Sequence, residues 1–312
     1  MNVLVAGGAG FIGSHLADAL LRNKGYEVVC IDNLSLGTEK NIDHLLGKER
    51  FRFYQFDLCD IERLDQTMRK ENIEYVFQLA ANSDIQASAE APQVEYRNTY
   101  TSTYSLLECM RRNKVRNLFF ASTSAVYGNK TEVLLDENTP DLAPVSYYGA
   151  AKLGCEALIS AYSYMNDMKS LVFRFPNVIG PRLTHGVVHD FIGKLRSNPH
   201  ELEILGDGKQ TKPYIYVEDL VNAIMYFHLK PKEGVLLYNI GAEGTTSVTE
   251  IADIVCSEMG LRDVKYQYTG GNVGWKGDVP KFRYCLDKVH CAGWRAKMSS
   301  EEAVRRAVRD NL

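Results

Sequence analysis

Residues 2–13 read NVLVAGGAGFIG, a short apolar run that leads directly into Gly7, Gly10 and Gly13. The apolar run is typical of a buried parallel strand. Residues 14–22, which follow the glycines, carry apolar side chains at helical spacing. A strand, a glycine turn and a helix in this order present unpaired N–H groups and the positive end of a helix dipole to an anion. The segment therefore predicts a turn that binds a pyrophosphate, where glycine permits tight turning and close approach of the ligand.

A second apolar run, residues 27–31, ends in Asp32, roughly 20 residues beyond the glycines. In dinucleotide-binding folds an acid at this position binds the ribose of the adenosine. The alternative is an acidic helix cap before Asn33. The order of strand, turn, helix and acid favours the first interpretation. Because an acid here would repel a 2′-phosphate, it predicts NAD rather than NADP.

The composition limits the classes of function. The chain has 312 residues, 45% of them hydrophobic, and a formal net charge of -3, so it can form a large core and offers no basic patch to nucleic acid. No apolar run reaches the roughly 18 residues that cross a bilayer, so we expect no membrane partner. The seven cysteines form no Cys-x-x-Cys pair, and His185 and His189 lack the acid of a zinc helix, so we expect no metal. The scattered cysteines favour reduced thiols and a cytoplasmic location.

Strand and helix patterns alternate through the first half of the chain. Further strands are predicted at 51–56, 75–80, 117–121 and 170–175, and helices at 61–71, 96–112 and 148–165. This alternation predicts an α/β fold, with a Rossmann-type doubly wound parallel sheet and helices on both of its faces. In such sheets ligands bind at the carboxyl ends of the strands, where Gly7, Asp32, Asp57 and Asn82 are expected.

The pattern loosens after Pro176, where glycine and proline become more frequent. Helices predicted at 188–196, 217–228, 248–259 and 299–308 alternate there with short strands. We therefore predict an NAD-binding domain over residues 1–176 and a smaller mixed α/β domain over 177–312 that binds the second substrate. A later segment, at about 210–245, could return to the first domain.

Tyr148 and Lys152 form a second motif. Four residues apart on a predicted helix, the phenol and the ammonium share one face. A phenol with a pKa of about 10 is a poor base at neutral pH, but a cation one turn away favours the phenolate. The phenolate could then take a proton from a sugar hydroxyl as hydride leaves the same carbon. The alternative is an amphipathic helix with a surface lysine, and the hydroxyls of Ser122, Thr123 and Ser124 at the end of the preceding strand favour catalysis.

With these motifs in place, the chain resembles an extended short-chain dehydrogenase/reductase of the NAD-dependent nucleotide-sugar epimerase and dehydratase family, and is most similar to the UDP-glucose 4-epimerase-like members. The motifs behind the resemblance keep the family's order over nearly the whole chain. They are GGAGFIG (7–13), DNLS (32–35), DL (57–58), LAA (79–81), STSAVYG (122–128), YGAAK (148–152), NVIGPR (177–182), YVED (216–219), YNIG (238–241) and GD (277–278). The match is specific for the family and much less specific for the substrate.

The resemblance implies roles for individual residues around the cofactor. NAD would contact Gly7, Gly10, Phe11, Ile12, Gly13, Asp32, Asn33, Asp57, Leu58, Leu79, Ala80, Ala81, Asn98, Tyr148, Lys152 and Phe175. Asp57 and Leu58 would bracket the adenine, and Phe175 would stack near the nicotinamide or fill the core. Tyr148 would be the base and Lys152 its partner. Thr123 would be the catalytic hydroxyl, with Ser124 as the second choice.

The resemblance also implies a site for the nucleotide sugar, with two departures from the family's pattern. The substrate would contact Asn177, Arg182, Val188, Lys212, Tyr214, Trp275 and Asp278. Lys212-Pro213-Tyr214 stands where the group usually has Arg-Asp-Phe or Arg-Asp-Tyr, and Trp275 stands where it usually has arginine. Lysine pairs with phosphate as a point charge without the bidentate fork of arginine. Trp275 would stack on a base or sugar, or pack.

A third departure bears on the reaction. Dehydratases of this group carry an Asp-Glu pair directly after the catalytic threonine, where this chain has Ser124 and Ala125. Without the pair there is no obvious group to remove the C5 proton and protonate the leaving hydroxyl. We therefore expect C4 epimerisation of a UDP-hexose through a transient 4-keto intermediate, with dehydration, net 4-oxidation or non-catalytic NAD binding as alternatives. Members of this group commonly form homodimers through two helices, here 96–112 and 148–165.

Overall fold

The computed structural model describes residues 1–271, 273–274 and 277–312. Its strands are, in chain order, β1 (Asn2–Ala6), β2 (Glu27–Asp32), β3 (Phe51–Gln55), β4 (Tyr75–Gln78), β5 (Asn117–Thr123), β6 (Leu134–Leu135), β7 (Lys169–Phe175), β8 (Asn177–Ile179), β9 (Glu201–Ile204), β10 (Thr211–Lys212), β11 (Tyr214–Tyr216), β12 (Gly234–Asn239), β13 (Thr246–Ser247), β14 (Lys265–Tyr268) and β15 (Arg283–Tyr284).

The helices follow the same order. They are α1 (Phe11–Arg22), α2 (Ile61–Lys70), α3 (Ile85–Glu90), α4 (Gln93–Glu95), α5 (Ser102–Arg112), α6 (Tyr147–Met165), α7 (Val187–Ser197), α8 (Val217–Phe227), α9 (Val248–Glu258), α10 (Asp287–Cys291) and α11 (Ser300–Asn311). A π-helical turn, Tyr96–Thr101, joins α4 to α5. Among the helices of the described ranges, none combines the length and the apolar composition that crossing a membrane requires.

The largest sheet has seven strands in the order β12-β7-β5-β4-β1-β2-β3. β1 pairs in parallel with β2 and β4, and the pairs β2–β3 and β4–β5 are also parallel. The chain builds outward from β1 to one edge and then returns to build the other side from β4. This reversal creates a topological switch point at the carboxyl end of β1, which is where such sheets bind ligands. The predicted Rossmann-type fold is confirmed.

The core explains why these apolar runs became strands. Residues 3–6 of β1 and 28–31 of β2 are buried, as are all four residues of β4. Strands covered on both faces need near-continuous apolar sequence. Leu106 of α5 and Ile159 of α6 are fully buried in the same hydrophobic cluster as Leu4 and Phe120. The sheet and its helices thus share one core.

The chain divides into two compact units. Unit 1 comprises Met1–Val126, Ser146–Arg174 and Val221–Tyr238, and unit 2 comprises Tyr127–Val145, Phe175–Leu220 and Asn239–Leu312. Two details differ from the division expected from sequence. Residues 127–145 belong to unit 2, because β6 pairs with β15. The segment that returns to unit 1, residues 221–238, is narrower than the predicted 210–245.

Some element boundaries also differ from the sequence-based prediction. α1 begins at Phe11 because Gly10 is its N-cap residue, so the helix starts inside the glycine turn. β5 extends through Thr123, two residues beyond the predicted end. The helix predicted over 96–112 begins at Gln93 and contains the π-helical turn. The first two differences place Gly10 at the start of α1 and Thr123 at the end of β5.

Candidate active site

Close backbone contacts require two of the glycines in the first turn. Gly7 has φ +78°, and a Cβ atom on it would lie 2.7 Å from the backbone nitrogen of Ala80. A Cβ atom on Gly13 would lie 2.1 Å from the carbonyl oxygen of Gly7. Real Cβ atoms do not approach backbone this closely, so neither position accepts a side chain without a backbone shift. These glycines bring the ends of β1 and β4 and the start of α1 together.

Gly10 has a different role. Among the described residues other than its two chain neighbours, the only heavy atom within 4 Å of a Cβ atom built on Gly10 is Gly7 O, at 3.2 Å. As the N-cap of α1 it provides no side-chain cap, and the first turn of the helix carries no acid. The N–H groups of this turn therefore face a space that a side chain at residue 10 would enter. The geometry fits a pyrophosphate bound at the helix N-terminus.

Asp32 lies beside the same turn. Its Oδ2 accepts a hydrogen bond from the backbone of Ala9 at 3.0 Å, and its Oδ1 accepts one from Leu34 at 2.8 Å. Burial raises the pKa of Asp32, and the backbone hydrogen bonds oppose that rise. A Cβ atom on Gly37 would lie 2.9 Å from Oδ2, so glycine there lets the loop pack on the carboxylate. A carboxylate oxygen can accept more than one hydrogen bond, so the Asp32 oxygens can also accept hydrogen bonds from ribose hydroxyls.

Asn41 supports this turn, although no motif in the sequence singles it out. Its side-chain amide donates to the carbonyl of Ala9 at 2.9 Å, and the backbone of Thr38 donates to the same carbonyl at 3.1 Å. Asn41 is buried in a short 3₁₀ turn. It therefore fixes the residue whose N–H contacts Asp32. An asparagine in a polar loop is too common to indicate this role.

Asp57 forms an ion pair at the end of β3. Its Oδ2 lies 2.9 Å from Nη2 of Arg97, and its Oδ1 accepts from the backbone of Cys59 at 2.9 Å. Burial alone would raise the pKa of Asp57, but these two partners together lower it. Arg97 is 65% exposed, so the pair itself contributes little to stability. Leu58, next in the chain, is buried.

One of the three hydroxyls at the end of β5 hydrogen-bonds Tyr148. That hydroxyl belongs to Thr123, the last residue of the strand. Ser122 instead donates to Glu156, which also pairs with Arg174. Ser124 begins the 3₁₀ turn that follows. The structure thus places Thr123, the first choice from sequence, beside the phenol.

Lys152 is almost completely buried beneath Tyr148. Its Nζ donates to the carbonyl of Ala121 at 2.6 Å and lies 5.9 Å from the centre of the Tyr148 ring. Burial lowers the pKa of Lys152 to about 8, so the ammonium form still predominates at neutral pH. Burial and the negative charge of Glu95 raise the pKa of Tyr148, and the hydrogen bond from Thr123 partly opposes this rise. The sequence-based expectation that the Lys152 cation lowers the pKa of this phenol is therefore not met, because burial and the charge of Glu95 raise it.

A second polar group lies within unit 2. β8 and β11 pair in parallel with Asn177 opposite Tyr214, and the two side chains are hydrogen-bonded. Burial raises the pKa of Tyr214 to about 12. Lys212, on β10, forms an ion pair with Asp278, whose Oδ2 also accepts from the backbone of Gly274 at 3.3 Å. Four of the substrate residues implied by the resemblance therefore lie in two adjoining pairs.

The other predicted residues are distributed less tightly. Arg182 has φ +70° in the turn after β8. Val188 is buried in the first turn of α7 and contributes packing. Phe175 ends β7 and is also buried. Asn98 is half-buried in the π-helical turn, where its carbonyl accepts a hydrogen bond from Ser102. Trp275, together with Lys276, lies outside the described residues.

A family model described as the NAD dependent epimerase/dehydratase family matches residues 3–241. The chain belongs to this family. The UDP-glucose 4-epimerase of Thermus thermophilus, solved in complex with NAD, is 31% identical and has a TM-score of 0.88, over 99% of this chain and 98% of that one. The UDP-glucose 4-epimerase of Thermotoga maritima, solved with UDP-glucose, is 32% identical with a TM-score of 0.89, over 100% and 98% of the two chains.

Family members catalyse more than one reaction. The dTDP-D-glucose 4,6-dehydratase of Homo sapiens is 29% identical over 98% of this chain and 89% of its own length. Membership therefore establishes NAD as the cofactor. The Thermotoga maritima relative was solved with a nucleotide sugar, UDP-glucose. The glycine turn, Asp32 and the Thr123–Tyr148–Lys152 group fit that cofactor on the geometry of this chain alone.

Proposed function

We propose that this protein is an NAD-dependent 4-epimerase of a UDP-hexose. The observation that carries the proposal is the hydrogen bond between Thr123 and Tyr148 above a buried Lys152, in a chain that has Ser124 and Ala125 after the threonine. Tyr148, in this group, supplies a base for a sugar hydroxyl. Ser124 and Ala125 lack the carboxyl groups that elimination of water requires.

In the proposed reaction Thr123 and Tyr148 bind the 4-hydroxyl of the sugar. Tyr148, as phenolate, accepts the hydroxyl proton, and the charge of Lys152 stabilises that phenolate. When bound, NAD would supply the acceptor for the C4 hydride and would donate it to the opposite face of C4 once the 4-keto sugar has rotated in the site. Tyr148 returns its proton to the C4 oxygen as that hydride is added, so the configuration at C4 is inverted. Because the cycle consumes no NAD, the cofactor is expected to stay bound.

Dehydration would need two further groups near Thr123. A base must take the C5 proton, and an acid must protonate the leaving 6-hydroxyl. The backbone N–H of Ala125 donates to Thr123 Oγ1 at 3.2 Å, which fixes the turn that follows the strand. The first two side chains of this turn are the hydroxyl of Ser124 and the methyl group of Ala125. Neither can act as a carboxyl acid or base, which favours epimerisation.

Unit 2 is proposed as the nucleotide-sugar domain and unit 1 as the NAD domain. Asn177 and Lys212 would bind the diphosphate. Lys212 is already paired with Asp278, so the substrate must share this cation with a carboxylate. A lysine ammonium also lacks the bidentate fork of an arginine. We therefore expect the diphosphate to contribute less to affinity than an arginine clamp would.

We also propose that the protein is a cytoplasmic homodimer. The seven cysteines are free thiols, which suits a reducing compartment. In unit 1, Tyr164 is 87% exposed, Met165 75% and Tyr96 67%, and these side chains lie on the helices from 93 to 112 and on α6. A second copy that buries this aromatic surface would remove the cost of leaving it in water.

Ala157→Arg on the exposed side of α6 should give a monomer in light scattering, whereas Ser257→Arg on α9 should leave the dimer intact.

The reaction is tested with a panel of nucleotide sugars. The purified protein is incubated with UDP-glucose, UDP-galactose and their N-acetyl and uronic acid counterparts, and the products are separated by chromatography. We expect interconversion of one C4 pair without net reduction of NAD, and none with Tyr148→Phe. A 4-keto-6-deoxy product would show dehydration instead. Failure to convert any of these sugars would reject the proposed reaction.

A further inference from the structure

Glu95 is a buried acid that the proposed reaction does not use. It ends α4, directly before the π-helical turn, and is 1% exposed. Its Oε1 accepts a hydrogen bond from the side-chain amide of Asn82 at 2.7 Å. Its Oε2 accepts one from the hydroxyl of Thr99 at 2.8 Å. Acids are rarely buried this completely, so the position needs an explanation.

The hydrogen bonds of Glu95 connect the elements around the catalytic lysine. Asn82 follows Ala80 and Ala81 at the end of β4, and its backbone N–H donates to Thr99 Oγ1 at 3.2 Å. The carbonyl of Thr99 accepts from the thiol of Cys155 at 3.5 Å. Cys155 lies on α6, three residues after Lys152. Glu95 therefore holds the end of β4 against the π-helical turn, and this turn contacts the helix that carries Lys152.

The partners of Glu95 suit a carboxylate. Both of its oxygens face donors, because Thr99 Oγ1 already accepts from the backbone of Asn82 and so directs its own proton to the acid. Burial raises the pKa of Glu95, while Asn82, Thr99, Ser88 and the charge of Lys152 oppose that rise. A carboxylate with such donors is stabilised relative to the protonated form.

The charged and titratable groups that face Lys152 and Tyr148 come from two elements. Cys155 and Glu156 lie on α6 itself, and Glu95 lies on α4. Glu156 forms a bidentate pair with Arg174 of β7 and accepts from Ser122 of β5, so its charge is largely offset. Glu95 is held by neutral donors. Of the two carboxyl groups whose charges act on Lys152, Glu95 is therefore the one whose hydrogen-bond donors among the described residues are neutral.

We propose that Glu95 is a positioning residue for the reaction, whose carboxylate fixes the π-helical turn against β4 and holds Lys152 in its charged form. The inference rests on the proposed function, since it assigns Tyr148 and Lys152 their roles. The negative charge of Glu95 stabilises the charged form of Lys152 and destabilises the charged form of Tyr148. It therefore raises the pKa of both groups, and both lose their protons at higher pH.

The test compares the pH dependence of kcat in three forms of the NAD-loaded enzyme. Glu95→Gln removes the charge and keeps the shape, whereas Thr99→Val removes a hydrogen bond and keeps the charge. We expect Glu95→Gln to move both limbs of the pH profile to lower pH, by about one unit, because it removes a negative charge that raises the pKa of both groups. Thr99→Val should lower kcat at every pH and leave the limbs in place. A Glu95→Gln profile that is lower but not displaced would overturn the proposal.

Two additions keep the result interpretable. If the wild-type enzyme converts no nucleotide sugar, the proposed function fails, but the role of Glu95 is still read from tyrosinate absorbance in the holoenzyme. Subtracting the Tyr148→Phe titration isolates the Tyr148 phenolate, and the midpoint of its titration must be at lower pH in Glu95→Gln than in the wild type.

If Glu95→Gln does not fold, Glu95→Asp keeps the charge with a shorter reach and should retain the wild-type midpoint. A displaced midpoint in Glu95→Asp, or an unmoved one in Glu95→Gln, would reject the assignment.

Discussion

Lys152 lies one helical turn from Tyr148, with its Nζ atom 5.9 Å from the centre of the phenol ring and 2.6 Å from the carbonyl oxygen of Ala121. The strand thus holds the ammonium in place beneath the ring. The position depends on the backbone of β5 and on the packing of α6, and no flexible surface side chain is involved. This relationship makes the phenol the group on which the proposed reaction would depend.

Tyr148→Phe should reduce kcat by about 10² to 10⁴, the usual contribution of a general base. Because the variant lacks only the hydroxyl, it should still fold and retain NAD, measured by absorbance of the cofactor released on denaturation. Tyr147→Phe is the matched control, since Tyr147 is 54% exposed in the same helical turn. Tyr148→Phe with wild-type activity would refute the assignment.

The three hydroxyls at the end of β5 should differ in effect. Thr123→Val should lower kcat by about 10- to 100-fold, because a hydrogen bond to a charged group contributes about 1.5 to 3 kcal/mol. Ser124→Ala should leave kcat nearly unchanged. Ser122→Ala should leave the phenol intact but lower stability, since it removes one of the hydrogen-bond donors to the half-buried Glu156. Steady-state kinetics and thermal melting of the three variants separate the effects on kcat from those on stability. Equal losses of kcat for Thr123→Val and Ser124→Ala would contradict the expected difference between these two hydroxyls.

Two glycines of the first turn should respond differently to alanine. Gly13→Ala should destabilise the fold by about 2 kcal/mol or more, because its Cβ atom would overlap backbone. Gly10→Ala should fold with a near-normal melting temperature but bind NAD at least about tenfold more weakly, because the methyl group enters the space proposed for the pyrophosphate. Calorimetric titration of NAD, after removal of bound cofactor, measures the second effect. Unchanged affinity in Gly10→Ala would place the pyrophosphate elsewhere.

His228 should make the stability of the protein depend on pH. Its Nδ1 lies 3.0 Å from the carbonyl of Met225, which can only accept, so Nδ1 carries the proton and Nε2 accepts from the hydroxyl of Tyr26 at 2.7 Å. Burial lowers the pKa of His228 below the ordinary 6.5. The folded state therefore binds fewer protons than the unfolded state once the pH falls below about 6.5.

The free energy of unfolding should then decrease as the pH is lowered from about 6.5, by at most about 1.4 kcal/mol per pH unit for this one group. Urea unfolding at several pH values measures the slope. His228→Gln should have a smaller slope than the wild type, although its stability at neutral pH will be lower. His200→Gln, at an exposed histidine, is the control and should keep the wild-type slope. Identical slopes for wild type and His228→Gln would contradict the assignment.

Local patterns predicted much of this molecule. The glycine turn, Asp32 and the pair Tyr148 and Lys152 each depend on short segments whose spacing is itself the signal. The alternation of strands and helices predicted the sheet for a similar reason, since the apolar runs of the central strands β1, β2, β4 and β5 are almost entirely buried. For Thr123, the resemblance supplied the choice among three neighbouring hydroxyls, and the structure gives a physical reason for it.

Contacts distant in sequence were not predictable in this way. The pairing of β6 with β15, which assigns residues 127–145 to unit 2, leaves no local pattern. The ion pair of Lys212 with Asp278 likewise joins residues from separate segments. Glu95 directly precedes the predicted helix 96–112, and only the structure shows its burial. The π-helical turn could not be predicted from periodicity either, because apolar side chains on either side of it still repeat at helical spacing.

The position of β12 in the sheet has a consequence for biosynthesis. This strand lies beside β7 at one edge, yet its residues, 234–239, come late in a chain of 312. Translation proceeds from the N-terminus, so β12 leaves the ribosome after the other six strands, and the sheet that carries the glycine turn is incomplete until then. Until then the edge of β7 is unpaired and open to other nascent strands. A fragment cut at residue 176 would keep this defect permanently and should aggregate, although it contains every motif of the cofactor site.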